Sequence, residues 1–415
     1  VNPTGFIHLG HARGSAYGDN LCRILSYAGY DVTREYYIND GGHQIDNMGL
    51  SVQERYRGLC GLEENMPEGG YYGEEIVDIA RGIYEKYKNT YLTRPTTYFK
   101  EHGLKLLLAG IERDLLRFRV HFDVWTSEKA IREAGRIEQT LQKLTELGKT
   151  YLEEGALWLK SSDYGDEKDR VLVKSNGEYA YITPDIAYHL DKIDRGFDTI
   201  IDVLGADHHG YVPRLRAAIE ALGYDKEKLE VKMIQMVKLL RGGEEVKMSK
   251  RTGNVITVND LIEEVGLDAA RYYFAMRPID SQMDFDIELA VKKAHDNPVY
   301  YVSYAHARIC SLLRGREVKD VKEFRTIDSE YAYDILSKIN EFKNVVEMSA
   351  LKRLPHLITN YVYDLANSLH IYYNHEKILT DDEIYTNERL LLMMAVKIVI
   401  NNALNLVGVE APSEM

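Results

Sequence analysis

The stretch Val1–Gly14, VNPTGFIHLGHARG, decides how the rest of the chain is read. His8 and His11 stand three residues apart with Gly10 between them, and Gly14 closes the stretch. A loop that leaves a strand and opens a helix presents free backbone N–H groups and the positive end of a helix dipole, and both favour phosphate. Gly10 lets a nucleotide approach the backbone closely, and two imidazoles can donate hydrogen bonds to phosphate oxygens. A pair of histidines capping an unliganded helix satisfies the same pattern, so the turn gains meaning only beside the other motifs of the chain. After Gly14, SAYGDNLCRILSYAGY spaces Ala16, Leu21, Ile24, Leu25 and Ala28 as one face of a helix that ends at Gly29. DVTREYYIND then reads as a strand running into a turn at 39–42. Helix followed by strand in this order is half of a parallel-sheet unit.

The remaining sequence extends that pattern. From residue 51 to residue 150 it is mostly helical, with EEIVDIARGIYEKY and IREAGRIEQTLQKLTEL both amphipathic, and this span reads as an insertion into the sheet domain formed by 1–50 and 151–240. ALWLKSSDYGDEKDRVLVKSNGEYAYIT is hairpin material with Asn176–Gly177 as its turn. FDTIIDVLGADHHG carries a short continuous apolar run, as a buried parallel strand does. It leads through Gly205 and a polar loop into the helix YVPRLRAAIEALG. LEVKMIQMVKLL is read as one further strand, feeding the basic loop RGGEEVKMSKRTGN within a connecting region at 241–290. From 291 to 415 the strand signal is gone, and helices are expected near 286–314, 328–350, 355–375 and 383–407.

Composition narrows the class. The chain has 415 residues, too many for one ordinary core. Its formal charge of −13 argues against a surface that binds polyanions everywhere, but leaves room for a shaped RNA site. The three cysteines are far apart in sequence, so neither a disulfide framework nor a zinc ribbon is expected, and a reducing cytoplasm suits them. No stretch reads as a membrane span; RLLLMMAVKIVINNAL is interrupted by Lys397 and reads as a buried helix. Tyrosine is abundant, with 31 copies against 9 of phenylalanine, which raises the question of what so many hydroxylated rings do.

The second motif is VKMSKR, where Lys247 and Lys250 flank Met248–Ser249 on the glycine-bearing loop. Two ammonium groups there could hold a triphosphate; a solvated charge run is the bland alternative. HLGH near the first strand and KMSK after the last recur together in one superfamily, and the chain is identified as resembling the class I aminoacyl-tRNA synthetases. NPTGFIHLGHARG, YYINDGGHQI, YAYITPDIAYHLDK, LGADHHGYVPRL and NPVYYVSYAHARI resemble the bacterial arginyl-tRNA synthetase family across nearly the whole length. Nucleotidyltransferases and amide ligases of the same superfamily also use HxGH, but lack the tyrosine-rich helical part. A catalytically dead RNA-binding module is a third reading, against which the intact His8, His11, Lys247 and Lys250 argue.

The resemblance implies an α/β fold: a Rossmann-like parallel-sheet catalytic domain with a largely helical insertion, then an all-α anticodon-binding bundle. It implies activation of arginine by ATP, with magnesium entering on the nucleotide, and transfer to tRNA(Arg) by a cytoplasmic monomer with no membrane partner and no structural metal. His8, His11, Lys247 and Lys250 would be catalytic. Gly10, Gly205, Asp207 and Ser249 would bind ATP, and Asp207 lies just past a strand's carboxyl end, where open α/β sheets bind ligands. The neighbouring His208 and His209 lack a third metal ligand at suitable spacing. A guanidinium substrate needs a facing carboxylate. The family pattern puts arginine-binding residues at Tyr181 and Asp185; these share a helix face with His189, and Asn2 would hold the substrate's α-amino or carboxylate end. Asp185 after Pro184 could instead only cap its helix, a role open to Thr183 as well. In the bundle, Tyr301, Tyr304 and Arg308 share a face and would stack on tRNA bases, with Met415 beside them; packing in the core is the alternative for most of the tyrosines there. The resemblance also implies that a tRNA-elbow domain, the first strand, and an acidic residue and a serine of the substrate pocket precede Val1 in the family, which would impair the chain as it stands.

Overall fold

The computed structural model describes residues 2–246 and 256–415, with the side chains of Asp207 and His209 left aside. Three parallel strand pairs carry the catalytic half. β1 (Glu35–Ile38) runs beside β2 (Val124–Ser127), β6 (Ile200–Gly205) beside β7 (Leu229–Ile234), and β8 (Val237–Arg241) beside β10 (Met283–Asp286). A short β9 (Glu244–Glu245) closes back on β8, and β3 (Thr150–Glu153), β4 (Ala156–Leu159) and β5 (Arg170–Val173) form an antiparallel sheet.

Helix α1 (Leu9–Tyr27) begins inside the HLGH motif, not after Gly14 as the glycines suggest. Gly14 lies in the middle of it because α1 crosses β7 there: a Cβ at Gly14 would collide with Ile234. Arg13, next to it, donates to the carbonyls of Gln235, Pro278 and Ser281 at 2.8–2.9 Å. That anchor explains a second departure. The run read as a single strand breaks into β7 and β8 at Gln235–Met236, where the Gln235 N–H donates to the Ile279 carbonyl and the chain changes sheet.

The insertion is built on α2 (His43–Leu59), α3 (Glu74–Tyr87) and α4 (Thr96–Arg117), with Tyr56, Phe99, Ile76 and Ile83 in a core of their own. β2 falls inside the span read as insertion but belongs to the parallel pairs, so the chain returns to the sheet near residue 123. The next amphipathic run is divided at Gly135, which has φ +68°, into α5 (Glu128–Glu133) and α6 (Arg136–Glu146). Helices α7 (Ile182–Asp194) and α8 (Val212–Ala221) flank β6.

After α9 (Val258–Val265), α10 (Leu267–Ala275) and α11 (Ile287–Val291), the bundle consists of α12 (Pro298–Leu313), α13 (Glu330–Lys352), α14 (His356–His375) and α15 (Glu383–Leu406), close to the helices read from periodicity. By length and composition α15 could cross a membrane, contrary to the reading that no segment could; more than half of it is buried in the bundle, with Met393, Val396 and Ile400 in the core. The same core continues into α1, α9 and α10, so bundle and catalytic half share one apolar interior. Arg271 of α10 is buried at that junction. It donates to Asp19 at 2.5 Å, to Asn20 at 2.7 Å and to the carbonyls of Phe118 and Val407. Gly408 must be glycine there, having φ +67° and no room for a Cβ beside the Arg271 guanidinium.

Candidate active site

The first signature motif meets the chain at 256–258, beyond the second. The His8 ring stacks on His11 with centroids 3.4 Å apart, in the first turn of α1. Gly10 keeps that stack possible, since a Cβ there would press on the His8 ring at 3.3 Å. The segment just beyond KMSKR is stitched to this turn: Leu9 N–H donates to the Ile256 carbonyl and Val258 N–H to that of Ile7. Lys247, Ser249 and Lys250 lie outside the described residues, but the chain beyond them re-enters against His8, where an isolated bridge joins His8 to Thr257. A capping box at Thr257–Asp260 then starts α9 and holds that re-entry point.

Gly205 closes β6, and Asp207 follows in the 3₁₀ segment Ala206–Tyr211. Asn2 donates through its side-chain amide to Gln44 Oε1 at 2.6 Å, above the start of α2.

Asp185 sits in the first turn of α7, where its carboxylate accepts a hydrogen bond from the Tyr211 hydroxyl. Among the described residues no lysine or arginine is paired with it. Burial pushes its carboxyl above the usual carboxylate range, against the pull of the Tyr211 hydrogen bond and of His189. It is no helix cap, and neither is Thr183, whose hydroxyl donates to the Leu172 carbonyl. Tyr181, at 68% exposure, stands edge-on to Tyr211 with centroids 5.8 Å apart. Tyr37 of β1 completes the surround: burial, then Asp185 and Glu128, push its phenol well above the normal range.

His189 departs from expectation. It shares the helix face with Asp185 but is 3% exposed, and both ring nitrogens are taken, one by the Asp185 carbonyl and one by Asp202, each at 2.7 Å. It braces the turn that carries Asp185. Asp202 is also paired with Lys192 at 3.0 Å. Burial alone would raise its pKa, but Lys192 and His189 hold it well below the carboxylate range. Sequence reading missed Tyr211, Tyr37 and this triad. Tyr211 alone left a trace, as the aromatic that ends GADHHGY.

In the bundle, Tyr301 is largely committed to packing: its ring lies against His370 and Tyr363, and its hydroxyl donates to Asn367 at 3.1 Å. Tyr304 is 36% exposed, Arg308 lies 3.8 Å over the Tyr373 ring, and Met415 is exposed beyond the Arg314–Glu414 pair.

Residues 2–294 match the profile of the class I (R) tRNA synthetase catalytic domain, and residues 302–415 match that of the DALR anticodon binding domain. The arginine–tRNA ligase of Bacillus subtilis is 54% identical over the whole of this chain and 76% of its own length. The chain belongs to the arginyl-tRNA synthetase family. A ligase of Halalkalibacterium halodurans is 53% identical over the same shares. A Campylobacter jejuni structure assigned to arginyl-tRNA synthetase superposes with a TM-score of 0.94 at 37% identity, covering all of this chain and 92% of the other. The Thermus thermophilus arginyl-tRNA synthetase shares the fold at a TM-score of 0.82 and 23% identity, over all of this chain and 81% of that one. As an arginyl-tRNA synthetase the chain is a ligase that uses ATP to join arginine to tRNA, on a class I catalytic fold with a helical anticodon domain.

Proposed function

We propose that the half-buried Asp185 carboxylate, braced by Tyr211 and lacking any lysine or arginine partner among the described residues, is the receptor for the substrate's guanidinium. A carboxylate desolvated at this cost is stabilised when a planar, permanently charged fork enters beside it. Tyr181 would cover the side chain, and Asn2 would hold the α-amino or carboxylate end. His189 acts through Asp185 and does not touch the substrate.

The arginine carboxylate attacks the α-phosphorus of ATP in line, the bond to the bridging oxygen breaks, and pyrophosphate leaves. The nucleophile is already anionic, so no general base is required. The protein's part is to position the reactants and to stabilise charge on the phosphorus and the leaving group. His8 and His11 approach from the helix start and Lys247 and Lys250 from the loop, while Gly10, Gly205, Asp207 and Ser249 hold the nucleotide. Magnesium would arrive on the ATP phosphates. A hydroxyl of the terminal ribose of tRNA(Arg) then attacks the arginyl carbonyl and AMP leaves. Tyr304, Arg308 and Met415 face the anticodon arm, with Tyr301 supporting Tyr304 from behind. We read the chain as a cytoplasmic monomer divided into sheet domain, insertion, connecting region and bundle.

The test is pyrophosphate exchange in the presence of tRNA(Arg) with arginine, citrulline and lysine. Citrulline keeps the shape of arginine and removes its charge. Exchange with arginine alone is expected; exchange with citrulline or lysine at comparable kcat/KM would remove Asp185 from this role.

A further inference from the structure

One buried cation of the HLGH helix is not absorbed by this chemistry. Arg13 stands two residues after His11, about 3 Å further along α1 by helical rise, and it is wholly buried. Its guanidinium is spread over three backbone carbonyls on two separate segments. Nη1 donates to Gln235 at 2.9 Å and to Ser281 at 2.8 Å, and Nη2 donates to Pro278 at 2.8 Å.

No carboxylate pairs with Arg13 among the described residues, and its Nε has no hydrogen-bond partner there. The other buried arginines are different. Arg271, Arg353 and Arg389 reach Asp19, Glu230 and Glu376. Burial pulls the pKa of Arg13 down to about 10, against the pull of Asp280. A buried ion without a counter-ion is destabilising, and an apolar residue of similar volume often holds a core better. What an apolar residue cannot do is span. A planar fork with five donors can hold three carbonyls in a fixed relation.

Both segments lead to the second motif. Gln235 lies between β7 and β8, and β8 continues through β9 to Val246, whose N–H donates back to the Leu239 carbonyl. Lys247 follows in sequence. Pro278 and Ser281 precede β10, which runs beside β8 from the pair Val237 and Met283 onward. On the returning side, Ile256 and Val258 are bonded to Leu9 and Ile7. The chain before KMSKR and the chain after it are therefore both tied to the start of α1, the first by Arg13 and the second by the backbone.

We propose that Arg13 is a positioning residue for adenylate formation: by fixing the starts of β8 and β10 against α1, it sets the span between His8 and His11 on one side and Lys247 and Lys250 on the other before ATP arrives. This rests on the reading that the two motifs hold ATP. Arg13 itself does not touch the substrate. Lysine at this position keeps the charge but offers a single ammonium where the fork bridges two segments.

The test uses the full chain and follows pyrophosphate exchange in the presence of tRNA(Arg). Arg13→Lys should lower kcat about a hundredfold, the effect of a misplacement near 1 Å. KM for arginine should stay within about twofold of the parent, because Asp185 and Tyr211 are held by α7 and the 3₁₀ segment. Pro278→Gly loosens one acceptor segment without removing a buried charge, and should lower kcat about tenfold with the same steady KM. A merely structural role would raise KM for arginine as kcat falls. The proposal is overturned if KM rises in both variants by the factor that kcat loses, or if both keep the parent kcat. Lys250→Ala separates the two readings. If it keeps the parent kcat, the motifs do not hold ATP and the role of Arg13 falls with them. If it loses rate while the other two variants do not, only the role of Arg13 falls.

Discussion

Asp19 and Asp185 both stand in helices of the catalytic half, the first buried and the second half-buried, and their surroundings are opposite. Asp19 receives Arg271 and Arg23 at 2.5 and 2.7 Å, so its charge is neutralised within the chain. Asp185 receives a phenol, and among the described residues neither lysine nor arginine pairs with it. Asp202, a third case, is satisfied by Lys192 and His189. A buried carboxylate with resident cations locks elements together. One that lacks a resident cation is destabilising in the empty protein, and that deficit becomes binding energy only when a cation is brought from outside. The difference separates scaffold from site.

The contrast can be broken most forcefully at the scaffold. Arg271→Ala leaves Asp19 buried without its main partner and should cost about 3–5 kcal/mol of stability, seen as a large fall in the denaturation midpoint; an unchanged midpoint would mean that this junction does not fasten bundle to sheet. Asp185→Asn should instead lower kcat/KM for arginine about a thousandfold, a loss of roughly 4 kcal/mol of charge pairing, while melting no lower than the parent. Tyr211→Phe tests the brace: loss of one hydrogen bond to a carboxylate is worth about 1.5–3 kcal/mol, so KM for arginine should rise at least tenfold with little change in the folded state.

The smallest effect sharpens the comparison most, because it carries a sign. The carboxyl of Asp185 is raised in the folded protein, so its stabilising contribution is complete below the ordinary carboxylate range and is lost as pH rises through the raised value. At neutral pH the Asp185→Asn protein should therefore melt at or above the parent, and the gap should close on acidification. The carboxyl of Asp202 is lowered, so its contribution is present above the ordinary carboxylate range and is lost only as pH falls through the depressed value. Asp202→Asn should melt below the parent at neutral pH. Paired melting curves across acid to neutral pH check both signs, and gaps of the same sign would end the distinction.

Much of this was legible beforehand, for local reasons. The bundle helices, α3 and α8 carry strong periodicity and sequence caps such as the Asp382 side chain that accepts from Tyr385 N–H. HLGH and KMSK announce themselves by spacing. What escaped was set by distant partners. Nothing in LEVKMIQMVKLL marks the break at Gln235, because Arg13 and Ile279 make it. Nothing near Val124 tells that β2 returns to β1. His189 was placed on the right helix face by its i+4 spacing, but spacing could not say that Asp202 would claim its ring.

The sequence by itself determined the order of the elements and the helix face that bears Asp185, since these follow from residue type and from periods of a few residues, while its resemblance to a known family supplied the class of chemistry. Which aspartate would be neutralised and which left to await a substrate was decided only in three dimensions. Arg271 reaches Asp19 across 252 residues, and Tyr211 reaches Asp185 across 26. Desolvation and charge pairing depend on distance in space, which the folded chain sets and its linear order does not.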